Sequence, residues 1–264
     1  MKEHLLSALL DQKSIQYLFN IFESESKDIC LVGGCIRDAL LGKKTRDIDV
    51  AVNVNPNEII QILNNNNLVY EDYAYKYGSI TTLIDNQKFQ ITTLREDINQ
   101  IGRHTGITFT EDWRKDARRR DFTINAMYLS RNGEIKDFFY GQEDLAKSTI
   151  RFIGNIEESI QEDFLRIFRY YRFLGVFKEP KLIKEYDKVL SNYCEQSFNF
   201  LSNDLIRQEI LKMFNVSFPL NSFFNSKNTM GKKHWIKLTK KHFVQTYYEI
   251  GLDKCLNKID LLIN

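Results

Sequence analysis

The stretch from Ile29 to Val52, ICLVGGCIRDALLGKKTRDIDVAV, constrains this chain more than any other. Ile29 to Val32 is an apolar run of buried-strand length. Gly33-Gly34 is a turn. Cys35 to Leu41 carries apolar residues at helical spacing and is closed by Gly42. Asp47-Ile48-Asp49 then opens a second apolar run that continues to Val52. The order is strand, glycine turn, short helix, loop, strand.

The two halves of this stretch suggest one site. Backbone N–H groups at a helix start, with the positive end of its dipole, suit a phosphate. Arg37, one turn into the helix, adds a charged fork. Asp47 and Asp49 are two apart on a strand, so both carboxylates leave one face while Ile48 enters the core. Adjacent carboxylates repel unless cations neutralise them. Such hard oxygen ligands suit Mg²⁺, which binds through one or two carboxylates plus substrate phosphates. The pattern predicts a metal–triphosphate site for phosphoryl or nucleotidyl transfer. A glycine pair alone is usually a turn, and an Asp-x-Asp alone is usually a solvated strand end. The two in this order carry the specificity.

GGCIRDALLG followed by RDIDVAV resembles the head-domain signature of the class II tRNA nucleotidyltransferase (CCA-adding enzyme)/poly(A) polymerase family, within the DNA polymerase β nucleotidyltransferase superfamily. The resemblance implies a small mixed sheet, Mg²⁺ held by Asp47 and Asp49, and Gly34 and Arg37 near the triphosphate. RRDFTINA, within Trp113 to Leu129, is a second family signature, and places Arg120 near the nucleotide. The consecutive Arg118, Arg119 and Arg120 cannot share one face of a regular element, so at least one points inward. Asp121 and Asn125, four apart, would share a helix face and orient other groups of the site. The alternative is a solvated arginine cluster capping a helix.

With 264 residues, one or two domains with a substantial core are expected. A net charge of +2 leaves no global signature for nucleic acid, so RNA contacts must come from local patches. Cys30, Cys35, Cys194 and Cys255 lack metal-ligand spacing and read as reduced thiols. No signal-peptide pattern or membrane-length apolar run is present, so a soluble cytoplasmic protein is expected.

The resemblance implies an α+β fold: a nucleotidyltransferase head with a mixed sheet and flanking helices, followed by an all-α neck and a shortened helical C-terminal part. Residues 1–26 read as helix, and Asn57 to Asn64 as a short helix after the Asn55-Pro56 break. Gly78 to Asp85 and Lys88 to Leu94 read as a hairpin around Asn86-Gln87. The resembling family often carries Glu where this chain has Gln90, which leaves the third metal ligand open. Residues 97–112 read as a loop. It keeps the family's Gly102-Arg103 but has Ile101 in the acidic place, and an ordinary surface loop is the alternative. The domains are expected at 1–145 (head), 146–215 (neck) and 216–264 (reduced body).

Gln161 to Gly175, QEDFLRIFRYYRFLG, is the third signature. Asp163, Arg166, Arg169 and Arg172 recur every three residues, a polar stripe on an otherwise apolar helix, which should face a cleft rather than bulk water. Asp163 can accept from the exocyclic amine of cytosine or adenine, and Arg166 can donate to the ring acceptors. Uracil and guanine present a carbonyl where the amine should be. The family uses such an EDxxR element to read the incoming base, and Arg169 and Arg172 match its continuation, where they could hold ribose or phosphate. A surface helix with internal ion pairs is the alternative.

Ser202 is a candidate N-cap for a helix from Leu201 onward; Pro219 to Gly231 reads as irregular, and Lys232 to Lys241 as a candidate phosphate-backbone patch, with a solvated lysine-rich helix as the alternative. The family's bacterial members continue through a longer tRNA-gripping body. Together these readings imply an Mg²⁺-dependent enzyme adding C and A to the 3′ end of tRNA from CTP and ATP. A poly(A) polymerase or a CC- or A-adding enzyme shares the scaffold. An inactive RNA-binding remnant is the other class of reading.

Overall fold

The computed structural model describes residues 2–45, 47–101 and 104–223. Two compact units are present. One comprises Met1–Gln100 with Thr105–Leu145, and the other Ala146 onward with Ile101–His104. Among the described residues no helix is long and apolar enough to cross a membrane.

The first unit starts with α1 (Lys2–Leu10) and α2 (Lys13–Glu23). The single helix expected over 1–26 is therefore two. Five residues separate Leu10 from Ile15, a rotation about 140° off the buried stripe of one continuous helix. The extended backbone of Gln12 resets the phase, and Ile15, Leu18, Phe19 and Phe22 then bury fully.

Next come β1 (Ile29–Val32), α3 (Gly34–Leu40), β2 (Asp47–Val52), α4 (Pro56–Asn65), β3 (Tyr70–Glu71), β4 (Ser79–Ile84) and β5 (Gln87–Thr93). Then follow β6 (Arg95–Ile101), β7 (His104–Phe109), α5 (Trp113–Arg118), β8 (Met127–Leu129), β9 (Ile135–Asp137) and α6 (Gly141–Ala146). Seven strands form one mixed sheet in the order β3-β4-β5-β2-β1-β8-β9. β2 and β5 run parallel, and β1 pairs antiparallel with β2 and with β8. Ile48, Val50 and Val52 alternate into the core beneath the sheet, with Phe89 and Ile91 of β5. The opposite face of β2 carries Asp47 and Asp49.

Asn55 starts α4 with a capping box. Its side chain accepts from Glu58 N at 3.0 Å, and Glu58 Oε2 accepts from Asn55 N at 3.1 Å. The β4–β5 turn sits one residue earlier than expected, on Asp85-Asn86. Both have positive φ (51° and 61°), the geometry a two-residue hairpin needs. The expected loop over 97–112 is instead the two-stranded sheet β6–β7. Among its described side chains the apolar Ile98 and Phe109 are exposed, so the stretch lacks the buried alternation that reveals a strand.

The second unit contains α7 (Ile156–Glu162), α8 (Leu165–Leu174), α9 (Lys184–Phe200), α10 (Asn203–Phe214) and α11 (Pro219–Phe223). Its core includes Ile160, Ile167, Phe168, Leu174, Ile206 and Ile210, all buried. The helix expected over 161–175 is broken at Asp163, whose backbone is extended (φ −151°, ψ 104°). Ser202 caps α10 through Leu205 N at 3.4 Å, as expected. Pro219–Phe223 is helical where an irregular segment was expected, with proline at the helix start. Gly102-Arg103, the Lys232–Lys241 patch and most of the expected 216–264 body lie outside the described residues.

Candidate active site

Asp47 and Asp49 both leave the face of β2 opposite Ile48, which is 1 % exposed. Asp47 is exposed and Asp49 half-buried. Across the parallel pair, Asp47 stands beside Lys88 and Asp49 beside Gln90. Gln90 Nε2 donates to Ser79 Oγ at 3.1 Å, and that hydroxyl shares a hydrogen bond with Thr92 Oγ1 at 2.9 Å. Asp49, Gln90, Ser79 and Thr92 floor a pocket of about 360 Å³ whose walls include Ala74, Tyr77, Arg95, Arg119 and Arg120; Asp47 is not among its lining residues.

The arginines are held from below by one carboxylate. Asp116, only 1 % exposed, accepts from Arg119 Nη2 at 2.7 Å and from Arg120 Nη2 at 3.0 Å. It also accepts from the Tyr128 hydroxyl at 2.6 Å and from Arg95 N at 3.1 Å. Burial alone would raise the Asp116 pKa. The Arg120 and Arg119 charges and the Tyr128 hydrogen bond outweigh it and hold the carboxyl well below the usual carboxylate range. Burial pulls the Arg120 pKa down, yet Tyr128 and Asp116 drive it above the ordinary arginine value. Arg120 is thus permanently charged in a rigid setting, with its guanidinium 5.3 Å from the Tyr128 ring centre. Arg118, the first of the three, is exposed.

Glycine is required at position 33 rather than 34. Gly33 has φ +76°, and a Cβ there would lie 3.3 Å from Asn125 O and 3.4 Å from Arg120 Nη1. At Gly34 a Cβ would meet the Arg37 guanidinium only at ordinary contact distance, 3.6 Å. Neither Gly34 nor Arg37 is among the lining residues of the Asp49 pocket. Arg37 donates through Nε and Nη2 to Asp38 Oδ1 (2.9 and 2.8 Å) and through Nη1 to Asn125 Oδ1 (2.6 Å). Asn125 Nδ2 in turn donates to Asp121 Oδ1 at 3.0 Å. Asp121 and Asn125, expected to share an α-helix face, are instead bonded to each other around a 3₁₀ turn (Thr123–Asn125).

In the second unit, Asp163 lies on the break before α8, and its Oδ1 accepts from Leu165 N at 3.0 Å. Arg166 is buried. Its Nη1 donates to Ser159 Oγ (2.6 Å), Ser159 O (3.1 Å) and Glu162 Oε2 (2.8 Å). Arg169 and Arg172 both lie over the Phe173 ring, at 5.6 and 4.6 Å. Arg172 also pairs with the buried Glu209 at 3.2 Å. The stripe expected on one helix is therefore split, with Asp163 outside the helix and Arg172 tied to α10.

Residues 29–151 match the poly(A) polymerase head-domain family. The chain is 39% identical over 183 residues to the human mitochondrial CCA tRNA nucleotidyltransferase 1, which covers 66% of this chain and 42% of that protein. Residues 29–151 are a poly(A) polymerase head domain. The CCA-adding enzyme of Enterococcus faecalis is 41% identical over 144 residues (54% of this chain, 34% of that protein). Among solved structures, the Bacillus stearothermophilus CCA-adding enzyme in complex with CTP superposes with TM-score 0.69 at 25% identity, over 80% of this chain and 51% of that one. The Thermotoga maritima CCA-adding enzyme complexed with tRNA gives TM-score 0.65 at 28% identity, over 82% and 52%. The chain spans less than half the length of these curated relatives and about half the length of these structures.

In this head domain Asp116, Arg95 and Tyr77 stand outside the residues that the sequence motifs single out. Asp116 has a usable signal, because Arg119 and Arg120 follow it at i+3 and i+4, the spacing of helical ion pairs. Arg95 and Tyr77 have none, since only the sheet brings them to Asp49. The donor set fits Mg²⁺ as a two-carboxylate site completed by substrate oxygens. Among the described residues no group of three His, Cys, Asp or Glu could hold a metal, and the neighbouring strand position is the neutral Gln90. Burial pushes the thiol pKa of Cys30 up to about 11 and of Cys35 up to about 12, so both stay protonated and inert.

Proposed function

We propose that this chain is a template-independent nucleotidyltransferase that adds C and A residues to the 3′ end of tRNA from CTP and ATP. The observation that carries the reading is one pocket of the family's head domain lined by Asp49 on its floor and Arg119 and Arg120 on its wall. A carboxylate and two clamped guanidiniums there have the charge pattern a metal–triphosphate requires. Relatives with the same head domain bear the name CCA-adding enzyme, which favours CTP and ATP over other triphosphates.

In this reading Asp47 and Asp49 hold Mg²⁺, which when bound supplies charge to activate the RNA hydroxyl and to neutralise the pyrophosphate. Arg119 and Arg120 face the phosphates in fixed positions because Asp116 has already oriented them, so no reorganisation is needed during the reaction. Gly33 lets the backbone before α3 run close to Arg120, and Arg37, braced by Asp38 and Asn125, adds positive charge one turn further. In the second unit, Asp163 accepts from the exocyclic amine of C or A, and Arg166, oriented by Ser159 and Glu162, donates to the ring acceptor. A mismatched carbonyl sets a second acceptor against the Asp163 carboxylate in place of a donor, a cost of roughly 1–3 kcal/mol. Arg169 and Arg172 add positive charge near ribose or phosphate.

Incubation with tRNA lacking its 3′ end, given CTP, ATP or both, tests this. The expected product carries C, C and A and then stops. Long untemplated A tails would assign a poly(A) polymerase instead, and addition of only C or only A a specialised enzyme on the same scaffold. Gln90 beside Asp49 favours a second reading, an inactive RNA-binding remnant. Incorporation of any CTP removes it.

A further inference from the structure

We infer that Tyr77 is the platform on which the 3′-terminal base of the RNA stacks before transfer. The inference rests on the nucleotidyltransferase reading above. Asp49 sits mid-sheet on β2, and the two sides of it differ in kind. On the β1 side stands Arg120, whose Nε donates to Tyr128 on β8 at 3.2 Å and whose Nη1 adjoins Gly33. On the β5–β4 side stand the uncharged Gln90, Thr92 and Ser79, and beyond them Ala74 and Tyr77, with the Arg95 guanidinium donating to Tyr77 O.

Displacement at a phosphorus places the attacking and leaving oxygens roughly in line. If Arg119 and Arg120 hold the leaving pyrophosphate, the attacking hydroxyl arrives over β5 and β4, where Arg95 adds positive charge for the RNA backbone. The nucleotide bearing that hydroxyl then lies against Tyr77. Tyr77 is 44 % exposed, so part of its side chain is open to a ligand. The Lys76 ammonium lies 4.8 Å from the Tyr77 ring centre, so a base platform and a positive charge for the next phosphate occur together.

The backbone at Tyr77 is anchored on both sides. Tyr77 O accepts from the Arg95 guanidinium. Gly78 follows with φ +75°, and a Cβ there would lie 2.6 Å from the Phe109 ring, so Phe109 closes the far side of this turn. Tyr73, four residues earlier, is 90 % exposed and could take the preceding base.

The test separates RNA binding from triphosphate binding. Tyr77→Ala is expected to raise the KM for tRNA lacking its 3′ end about tenfold, the scale of one lost base stack. The KM for CTP is expected to stay within about twofold, since the phosphate-holding arginines are untouched. Tyr77→Phe, which keeps the ring, recovers most of the RNA affinity. Leu83→Ser, at an exposed position elsewhere on β4, serves as the control with neither constant changed. An RNA hairpin ending in 2-aminopurine reports stacking without catalysis: its fluorescence is quenched by the wild type and by Y77F, and not by Y77A. An unaltered RNA KM in Y77A, equal quenching by Y77A, or RNA and CTP constants rising together overturns the inference while leaving nucleotidyl transfer standing. A wild type that incorporates neither CTP nor ATP overturns both.

Discussion

Asp49 on β2 is the parallel-strand partner of Gln90 on β5, so a carboxylate and a neutral amide share the face that floors the pocket. A third acidic ligand at position 90 would stand in register with Asp49. Gln90→Glu is therefore expected to tighten divalent-cation binding several-fold, because a charged oxygen replaces a neutral one. Titration with Mn²⁺ followed by electron paramagnetic resonance measures this without any turnover. Unchanged affinity would show that position 90 does not reach the cation.

Asp49→Asn removes the charge but keeps the shape. Incorporation of CTP should fall by at least about a hundredfold, the scale of losing one preorganised electrostatic contact. Thermal unfolding should shift little or upward, because Asp47 loses a like-charged neighbour on the same strand face. A large loss of stability in this variant would mean that Asp49 serves the fold instead.

Asp116 behaves in the opposite way. Removing its charge leaves Arg119 and Arg120 without their buried partner, so Asp116→Asn should cost about 3–5 kcal/mol of stability by chemical denaturation. Its carboxyl pKa is depressed in the folded state, so the contribution is fully present above the unfolded value near ~4 and is lost as pH falls toward the folded value. Below that upper limit the wild type should therefore lose stability with falling pH more steeply than the Asn variant. Equal slopes would contradict the clamp.

Gly33→Ala meets two obstacles at once, a left-handed backbone (φ +76°) and a Cβ 3.3 Å from Asn125 O. A stability loss of about 1–3 kcal/mol is expected. Because Arg120 lies 3.4 Å from the same point, the KM for CTP should rise as well. A variant that is destabilised with CTP binding unaltered would separate the turn from the site.

Asp163→Ala tests base selection. The preference for C and A over U and G should fall by about tenfold to a hundredfold, as one mismatched polar contact implies. The lost bond to Leu165 N adds a helix-cap cost of about 1 kcal/mol, read separately by thermal melting. Cation binding should be unaffected. Retained selectivity would remove Asp163 from base reading.

Relationships between near neighbours in the chain are legible in the residues themselves. Alternation on β2 puts Asp47 and Asp49 on one face because strand geometry has a period of two, and Ile48 has to be buried. The Asp116–Arg119–Arg120 clamp is also local, and its helical spacing is enough to find it. The break at Asp163 is not legible in this way, because helix-like apolar spacing continues through it and only the extended backbone interrupts it.

What the sequence alone determined was the chemistry on each short element: an acidic pair, a glycine turn, an arginine cluster and an Asp–Arg pair. Periodicity within an element fixes which side chains share a face. Tertiary structure alone decided which elements meet. Arg37 reaches Asn125 across 88 residues of chain, and β5 returns Gln90 to the side of Asp49. The physical reason is that strand order is set by burying the whole sheet against α1, α2 and α4, a property of no single segment.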